Sequence, residues 1–311
     1  MLHSPLFFAI HLCVTYTLTF LAFSSLIVCV ARDPGPVAGT QQSEDEETSL
    51  REALMPDVEL NVPGRWCRKC WAPKPERTHH CSACGRCVLK MDHHCPWLGN
   101  NCIGHRTYPA FLHFLLSVTL LALYIAIISI FALIYAFNDP YVMVRHSLTI
   151  ARQPVEIGQD VNTPIHELFL AALGVIFSMV IGPFLGYHVY LVSTNQTTLE
   201  TISPFLLLKH LPKLPFEGHD LSDPPLESEL SAPQRRLVKD AYQAIHLYDI
   251  GWRGNWAQVL GCEQFSGWVI RLWCGGASPG DGKYFPRNPN AESVLARLAT
   301  ELVKIDRQGH Q

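Results

Sequence analysis

Charge is scarce in this sequence. Asp, Glu, Lys and Arg make up 16% of its 311 residues, against 48% hydrophobic residues, a balance that excludes an ordinary soluble globular protein of this size. Charge is missing altogether from Leu6 to Val30, which holds a single histidine, His11. Phe111 to Phe137 is interrupted only by His113 and small hydroxyls, and a third apolar stretch runs from about Leu168 to Val192. Crossing a bilayer core takes roughly 20 such residues, so three transmembrane helices are predicted. Met1 to Pro5 has no basic residue, and the apolar run that follows is longer than a signal-peptide core; both argue against a cleaved signal. Gly174, Gly182-Pro183 and Gly186 predict a kink or close packing in the third helix. His188 near its end reads as a membrane-boundary histidine or a polar contact.

Basic residues are few between the second and third stretches, where only Arg145 and Arg152 occur, whereas residues 32–108 hold ten and the tail after Val192 twelve. By the bias of Lys and Arg toward the cytosolic side, the segment before the second helix and the tail are cytosolic and the short loop is lumenal. The Asn195-Gln196-Thr197 sequon then faces the cytosol, where glycosylation is not expected. The acidic run Glu44 to Glu47 reads as a solvated stretch.

Cysteine, by contrast, is concentrated. Seven of the eleven cysteines lie between Cys67 and Cys102, with His79, His80, His93 and His94. An odd count argues against a closed disulfide framework, and Cys67/Cys70 and Cys81/Cys84 are C-x2-C hooks of the kind that bind zinc. Cys87, Cys102 and two histidines can complete two Cys3His sites; spacing alone leaves His79 or His80 open for one of them. Cys95 is then left over. In an extended run, His93 and Cys95 share one face while His94 turns to the other. That arrangement would set a base beside a nucleophilic thiol whose pKa the histidine lowers. Asp92 could orient His93 as the third member of a triad, but only if the chain bends there.

Asp92-His93-His94-Cys95 inside a Cys-rich block between hydrophobic segments resembles the DHHC protein S-acyltransferases, or palmitoyltransferases. The resemblance extends over nearly the whole chain: Asp33-Pro34-Gly35 after the first apolar segment, Thr197-Thr198-Leu199-Glu200 after the last, and Tyr248 to Gly261 in the tail, with Asn255. It implies transfer of a long-chain acyl group from acyl-CoA, such as palmitoyl-CoA, through an acyl-Cys95 intermediate to cysteines of cytosolic or membrane-associated proteins. His93 is the implied base and Asp92 its orienter. Two structural zinc ions are implied, one on Cys67, Cys70, His80 and Cys87, the other on Cys81, Cys84, His94 and Cys102. Thr197, Thr198, Glu200 and Asn255 are implied structural supports, with Thr198 and Glu200 bracing the catalytic block. Between Arg65 and Arg106 eight basic residues face two acids, so with both zincs bound the block carries roughly +4. That charge suits solvation and a membrane surface, or a polyanion such as coenzyme A.

The fold expected is an all-α polytopic membrane protein with a cytosolic zinc-binding Cys-rich domain of irregular or short β-hairpin structure. Its parts are a first helix within 1–31, a cytosolic linker over 32–64, the Cys-rich domain over 65–107, helices within 108–137 and 165–192, a lumenal loop over 138–164, and a cytosolic tail over 193–311. The family usually has four spans, two of them before the Cys-rich domain; here one is predicted, as if the first were missing. Six residues separate Cys95 from Cys102 where the family usually has five, with Gly99 as the insertion, and Thr107 stands where it usually has Asn. Pro204 to Pro225 reads as loop; Val294, Leu298, Leu302 and Ile305 form one helical face. Cys262 and Cys274 are buried or idle thiols, or acylation sites. Expected partners are acyl-CoA, cysteine-bearing proteins and the bilayer of an endomembrane or the plasma membrane, with no nucleic acid. Two other readings remain: a membrane-anchored zinc module that binds proteins, and a catalytically inactive family member.

Overall fold

The structure, a computed structural model, describes residues 4–37, 66–138, 163–214, 220–262, 264, 266–267, 271 and 276–309. Most of the 32–64 linker, most of the 138–164 loop and Cys274 lie outside the described residues. Three helices are long and apolar enough to cross a membrane: α1 (Pro5–Ala31), α2 (Tyr108–Asn138) and α3 (Thr163–Ser193). α1 ends at Ala31, α2 begins at Tyr108 and α3 ends at Ser193. None has a polar stripe, as expected where lipid rather than water faces the outer surface. The chain is a membrane protein, predominantly helical, with a Cys/His-rich block built on short antiparallel strand pairs.

The chain forms two compact bodies, one of residues 1–25 and 112–188, the other of residues 26–111 and 189–311. In the first, bulky side chains such as Phe20, Phe131, Phe177 and Met179 point outward, and Thr119 Oγ1 donates within its own helix to Leu115 O at 2.7 Å. His11 Nδ1 lies 3.1 Å from the Tyr124 hydroxyl, with the two rings stacked. Of the three glycines in α3, Gly174 is the one that marks a close approach. A Cβ there would meet Ala122 O and Ala126 N of α2, each at 2.8 Å. Around Gly186 there is nothing within 4 Å.

The second body holds three two-stranded antiparallel hairpins: β1 (Trp66–Cys67) with β2 (Ala72–Pro73), β3 (His79–Cys81) with β4 (Arg86–Val88), and β5 (His93–Cys95) with β6 (Asn101–Ile103). The tail adds α4 (Thr198–Ile202), a 3-10 helix at Pro204–His210, α5 (Ala232–Ala244), α6 (Trp252–Leu260) and α7 (Ala291–Gly309). The stretch after Pro204 therefore begins as a 3-10 helix rather than a loop. Proline supplies the φ for its first position, and Leu207 and Leu208 anchor it in the core.

That core joins Leu207, Leu208, Val238, Tyr248, Leu295, Leu298 and Leu302. The apolar face of α7 thus packs on protein. Its centre is Leu295–Leu298–Leu302, with Val294 at the margin and Ile305 half-buried. Gln234 reaches into the same core and donates to Leu302 O at 3.0 Å.

Gly174→Ala is expected to destabilise the helical body by about 1–3 kcal/mol, since the added methyl overpacks a backbone contact. Thermal unfolding of the detergent-purified protein reads this as a lowered transition. Gly186→Ala, in open space, should not lower it.

Candidate active site and metal centres

The metal centres interleave along the hairpins. Cys67 ends β1 and Cys70 follows in its turn; His80 and Cys87 sit directly opposite each other in β3 and β4. Cys81 and Cys84 flank the next turn, and His94 and Cys102 are opposite in β5 and β6. In each foursome the ligand atoms lie within 4.8 Å of one another. His80 Nδ1 is 3.6, 3.2 and 3.9 Å from the sulfurs of Cys67, Cys70 and Cys87. His94 Nδ1 is 3.6, 3.4 and 3.7 Å from those of Cys81, Cys84 and Cys102. Tetrahedral zinc bonds of about 2.0–2.3 Å give ligand-to-ligand edges of roughly 3.3–3.8 Å, so these residues fit such an ion. His94 Nε2 lies 2.9 Å from Asn100 Oδ1, a bond that assigns the proton to Nε2 and leaves Nδ1 for metal. His79 belongs to neither foursome. Burial, aided by the charges of Lys209, Lys74 and Arg77 and opposed by that of Glu200, holds its imidazole down at about 4.

The stretch between Cys95 and Cys102 forms the turn between β5 and β6. Gly99 (φ +67°) and Asn100 (φ +54°) are both left-handed, and a Cβ on Gly99 would strike Val30 Cγ1 at 2.8 Å, so glycine suits the site on two counts. Cys102 remains buried among its ligand partners. Thr107 is also buried, its Oγ1 accepting from Gly104 N at 3.0 Å.

Asp92 precedes β5, and its N–H donates to Ile103 O at 2.8 Å. Because the strand begins only at His93, the Asp92 carboxylate can turn back: Oδ2 accepts from His93 Nδ1 at 2.6 Å. The same carboxylate accepts from Thr198 twice, from its N–H at 2.9 Å and its hydroxyl at 2.8 Å. The His93 ring meets Phe111 edge-on, centroids 5.2 Å apart. Burial disfavours the imidazolium, but the bonds to Asp92 and Cys95 and the charges of both outweigh it, raising His93 to about 9. At Cys95 burial pushes the thiol up, while His93 and the N–H groups of Trp97 and Leu98 pull harder, so its pKa is lowered.

The segment after α3 is fastened by a residue that sequence reading passed over. Arg77, at φ +60° with a side chain 1% exposed, grips Glu200 with Nε and Nη2, both at 2.8 Å. It also donates to Asn195 Oδ1 and O and lies 4.3 Å over the Tyr248 ring. Although burial works against ionisation, Arg77 holds the Glu200 carboxyl below its ordinary value. Glu200 and Thr197 form a capping box at the start of α4. Asn255 is buried and donates to Ser193 O and Asp249 Oδ1, each at 2.7 Å, while accepting from Ile250 N. Lys90 is buried with its ammonium 5.2 Å over the Phe285 ring. Burial and the Arg77 charge bring Lys90 down to about 7, against the pull of Glu200 and Asp92. Asp33 accepts from Arg86 Nη1 at 2.6 Å, and Gly35 O accepts from Leu89 N. Nothing local marks Arg77 among eight basic residues, and Asn195 carried only a sequon signal.

The sequence model of the DHHC palmitoyltransferase family matches residues 61–204. Residues 61–204 thus carry a DHHC palmitoyltransferase domain. Among curated proteins it is 33% identical over 266 residues to human palmitoyltransferase ZDHHC15, covering 83% of this chain and 63% of that protein. It is 42% identical over 237 residues to the Xenopus laevis ZDHHC15, covering 76% and 54%, and 34% identical over 186 residues to palmitoyltransferase pfa3 of Aspergillus fumigatus, covering 58% and 31%. The chain thus spans less than two thirds of the length of these relatives.

Removing the Arg77 guanidinium leaves the mostly enclosed Glu200 carboxylate without its cation, a loss that approaches the roughly 3–5 kcal/mol typical of a broken buried pair. Arg77→Ala should therefore unfold the Cys-rich body at a markedly lower temperature. Arg77→Lys, which cannot make the forked contact, should recover only part of the loss, and Lys69→Ala at the surface should change nothing.

Proposed function

We propose that this chain is a protein S-acyltransferase. It moves a long-chain acyl group, palmitoyl being the reference case, from acyl-CoA through an acyl-Cys95 intermediate to cysteines of substrate proteins. The observation that carries this reading is the bond sequence from Thr198 through Asp92 to His93 beside Cys95. It leaves a half-buried thiol with a lowered pKa next to a charged imidazole, the arrangement thiol acyl transfer needs.

In the first half-reaction the Cys95 thiolate adds to the thioester carbonyl. As the tetrahedral adduct collapses, the carbon–sulfur bond to coenzyme A breaks, and the His93 imidazolium gives its proton to the departing thiolate. In the second, neutral His93 takes the proton of an incoming cysteine thiol, whose sulfur adds to acyl-Cys95; the bond to Cys95 breaks and its thiolate is restored beside imidazolium. One thioester is exchanged for another at each stage, so the task is positioning and thiol activation rather than driving force. Asp92 keeps His93 oriented and favours its charged form; Thr198 keeps Asp92 oriented. Cys67, Cys70, His80 and Cys87, and Cys81, Cys84, His94 and Cys102, would each hold one zinc ion as a complete ligand set, and the metal would supply a structural role. Thr197, Glu200 and Asn255 act as supports. Residues 65–107 and 193–311 face the cytosol of an endomembrane or the plasma membrane on this reading, with the 138–164 loop on the other side.

Alkyne-tagged palmitoyl-CoA should label the purified protein in a hydroxylamine-labile manner. Cys95→Ser should abolish the label and Cys262→Ser should retain it; a folded, zinc-loaded wild type that takes no label would overturn the proposal. Thr198→Ala removes a hydrogen bond to a buried carboxylate worth about 1.5–3 kcal/mol, so labelling should slow roughly ten- to hundredfold with metal content unchanged.

Metal analysis of the purified chain should find two zinc ions. Stripping them with a strong chelator should melt the hairpins and end labelling together, because ligand and fold energies are shared in small metal modules.

A further inference from the structure

The turn that carries the reactive thiol also presents the most exposed large apolar side chain among the described residues. Trp97 is 92% exposed, while its neighbour Leu98 is buried at 2%. The turn is not loose: Leu98 N donates to Cys95 O and Asn100 N to Pro96 O, both at 3.3 Å. A rigid turn therefore holds an indole outward, with no charged residue from Pro96 to Asn101.

The surroundings say what lies there. Gly99, two residues on, packs on Val30 so closely that a Cβ would come within 2.8 Å of it, and Val30 is the penultimate residue of the first membrane-crossing helix. Just past that helix end, Arg32 Nη1 donates to Arg106 O at 3.4 Å, and Arg106 stands two residues before α2 begins at Tyr108. The ends of two spans are thus side by side, and the 96–100 turn rests on one of them. Two arginines mark the same level, where anionic headgroups meet basic side chains. Tryptophan partitions to this layer because its ring is apolar and its N–H is polar.

We propose that Trp97 is a bilayer anchor. Its indole lies in the headgroup layer and sets the depth of Cys95, two residues away, at the membrane surface. The inference requires that α1 and α2 span a membrane; it does not require that Cys95 turns over.

The test is lipid-dependent fluorescence quenching of the full chain reconstituted in phosphatidylcholine vesicles, with wild type compared with Trp97→Phe. The emission lost in the variant is the Trp97 component. It should be quenched in vesicles whose acyl chains are brominated near the headgroup, and should lose less intensity to aqueous iodide than to those bromines. A component that iodide quenches at least as strongly as the brominated lipid overturns the proposal and leaves Trp97 as a water-facing surface for proteins. Trp97→Tyr provides a second subtraction should the phenylalanine variant fold poorly, with zinc content and the thermal transition as the measure of folding. Because the readout needs no acyl transfer, a protein that takes no label can still support or overturn it.

Discussion

The buried guanidinium of Arg77 ties the Cys-rich hairpins to the segment that follows α3. A guanidinium removed from water is tolerated only when its donors are answered, and here Glu200 takes two of them, Asn195 takes two more and Tyr248 covers the plane. Because Glu200 is fixed by Arg77, it can close the capping box with Thr197 and start α4 in one orientation. That orientation aims both the N–H and the hydroxyl of Thr198 at Asp92. The rotamer of the carboxylate beside His93 is therefore decided by an arginine fifteen residues earlier in the chain, acting through a segment more than a hundred residues later.

The electrostatics follow from the same bonds. The carboxylate oxygens of Asp92, its side chain 1% exposed, accept from Thr198 and His93 where water does not reach. A fixed negative charge at 2.6 Å favours imidazolium at His93, and that positive charge favours thiolate at Cys95. Burial opposes ionisation at both His93 and Cys95, so the stabilisation passes outward from the most buried group to the one a substrate can reach. Each of the two charges favours the other.

What the sequence makes legible is whatever depends on near neighbours or on length. Three uncharged stretches read as three membrane-length helices, and the density of cysteine and histidine reads as two metal-binding foursomes. Where alternatives stay open, the deciding contact is across strands or across the chain. His80 rather than His79 joins Cys67, Cys70 and Cys87 because it stands opposite Cys87 in the β3–β4 register, and spacing carries no register. The turn of Asp92 toward His93 depends on where β5 begins. Arg77 and Lys90 look like the other basic residues of the block until the tail encloses them, and Asn195 carries a sequon whose form says nothing of its bond to Arg77. The apolar face of α7 is legible as a stripe, but Leu295 at its centre emerges only from the packing against Val238 and Tyr248.

These particulars account for why the short signatures stand where they do. Asp33-Pro34-Gly35 follows α1 and is bound to β4, through Arg86 on Asp33 and the pairing of Pro36 with Val88. The last hairpin runs straight into α2 through Gly104, where a Cβ would meet Val88 Cγ1 at 2.6 Å and both Pro34 O and Leu89 O at 2.9 Å. Thr197 to Glu200 follows α3 and is bound to Asp92 and Arg77. Each motif lies just beyond a span and fastens that span's end to the same small block. The Cys-rich hairpins thus act as the hub on which three helix ends are set. Each end is joined to the Asp92–His93 pair through at most a few hydrogen bonds, so the residues that fasten the spans also set the surroundings of that pair.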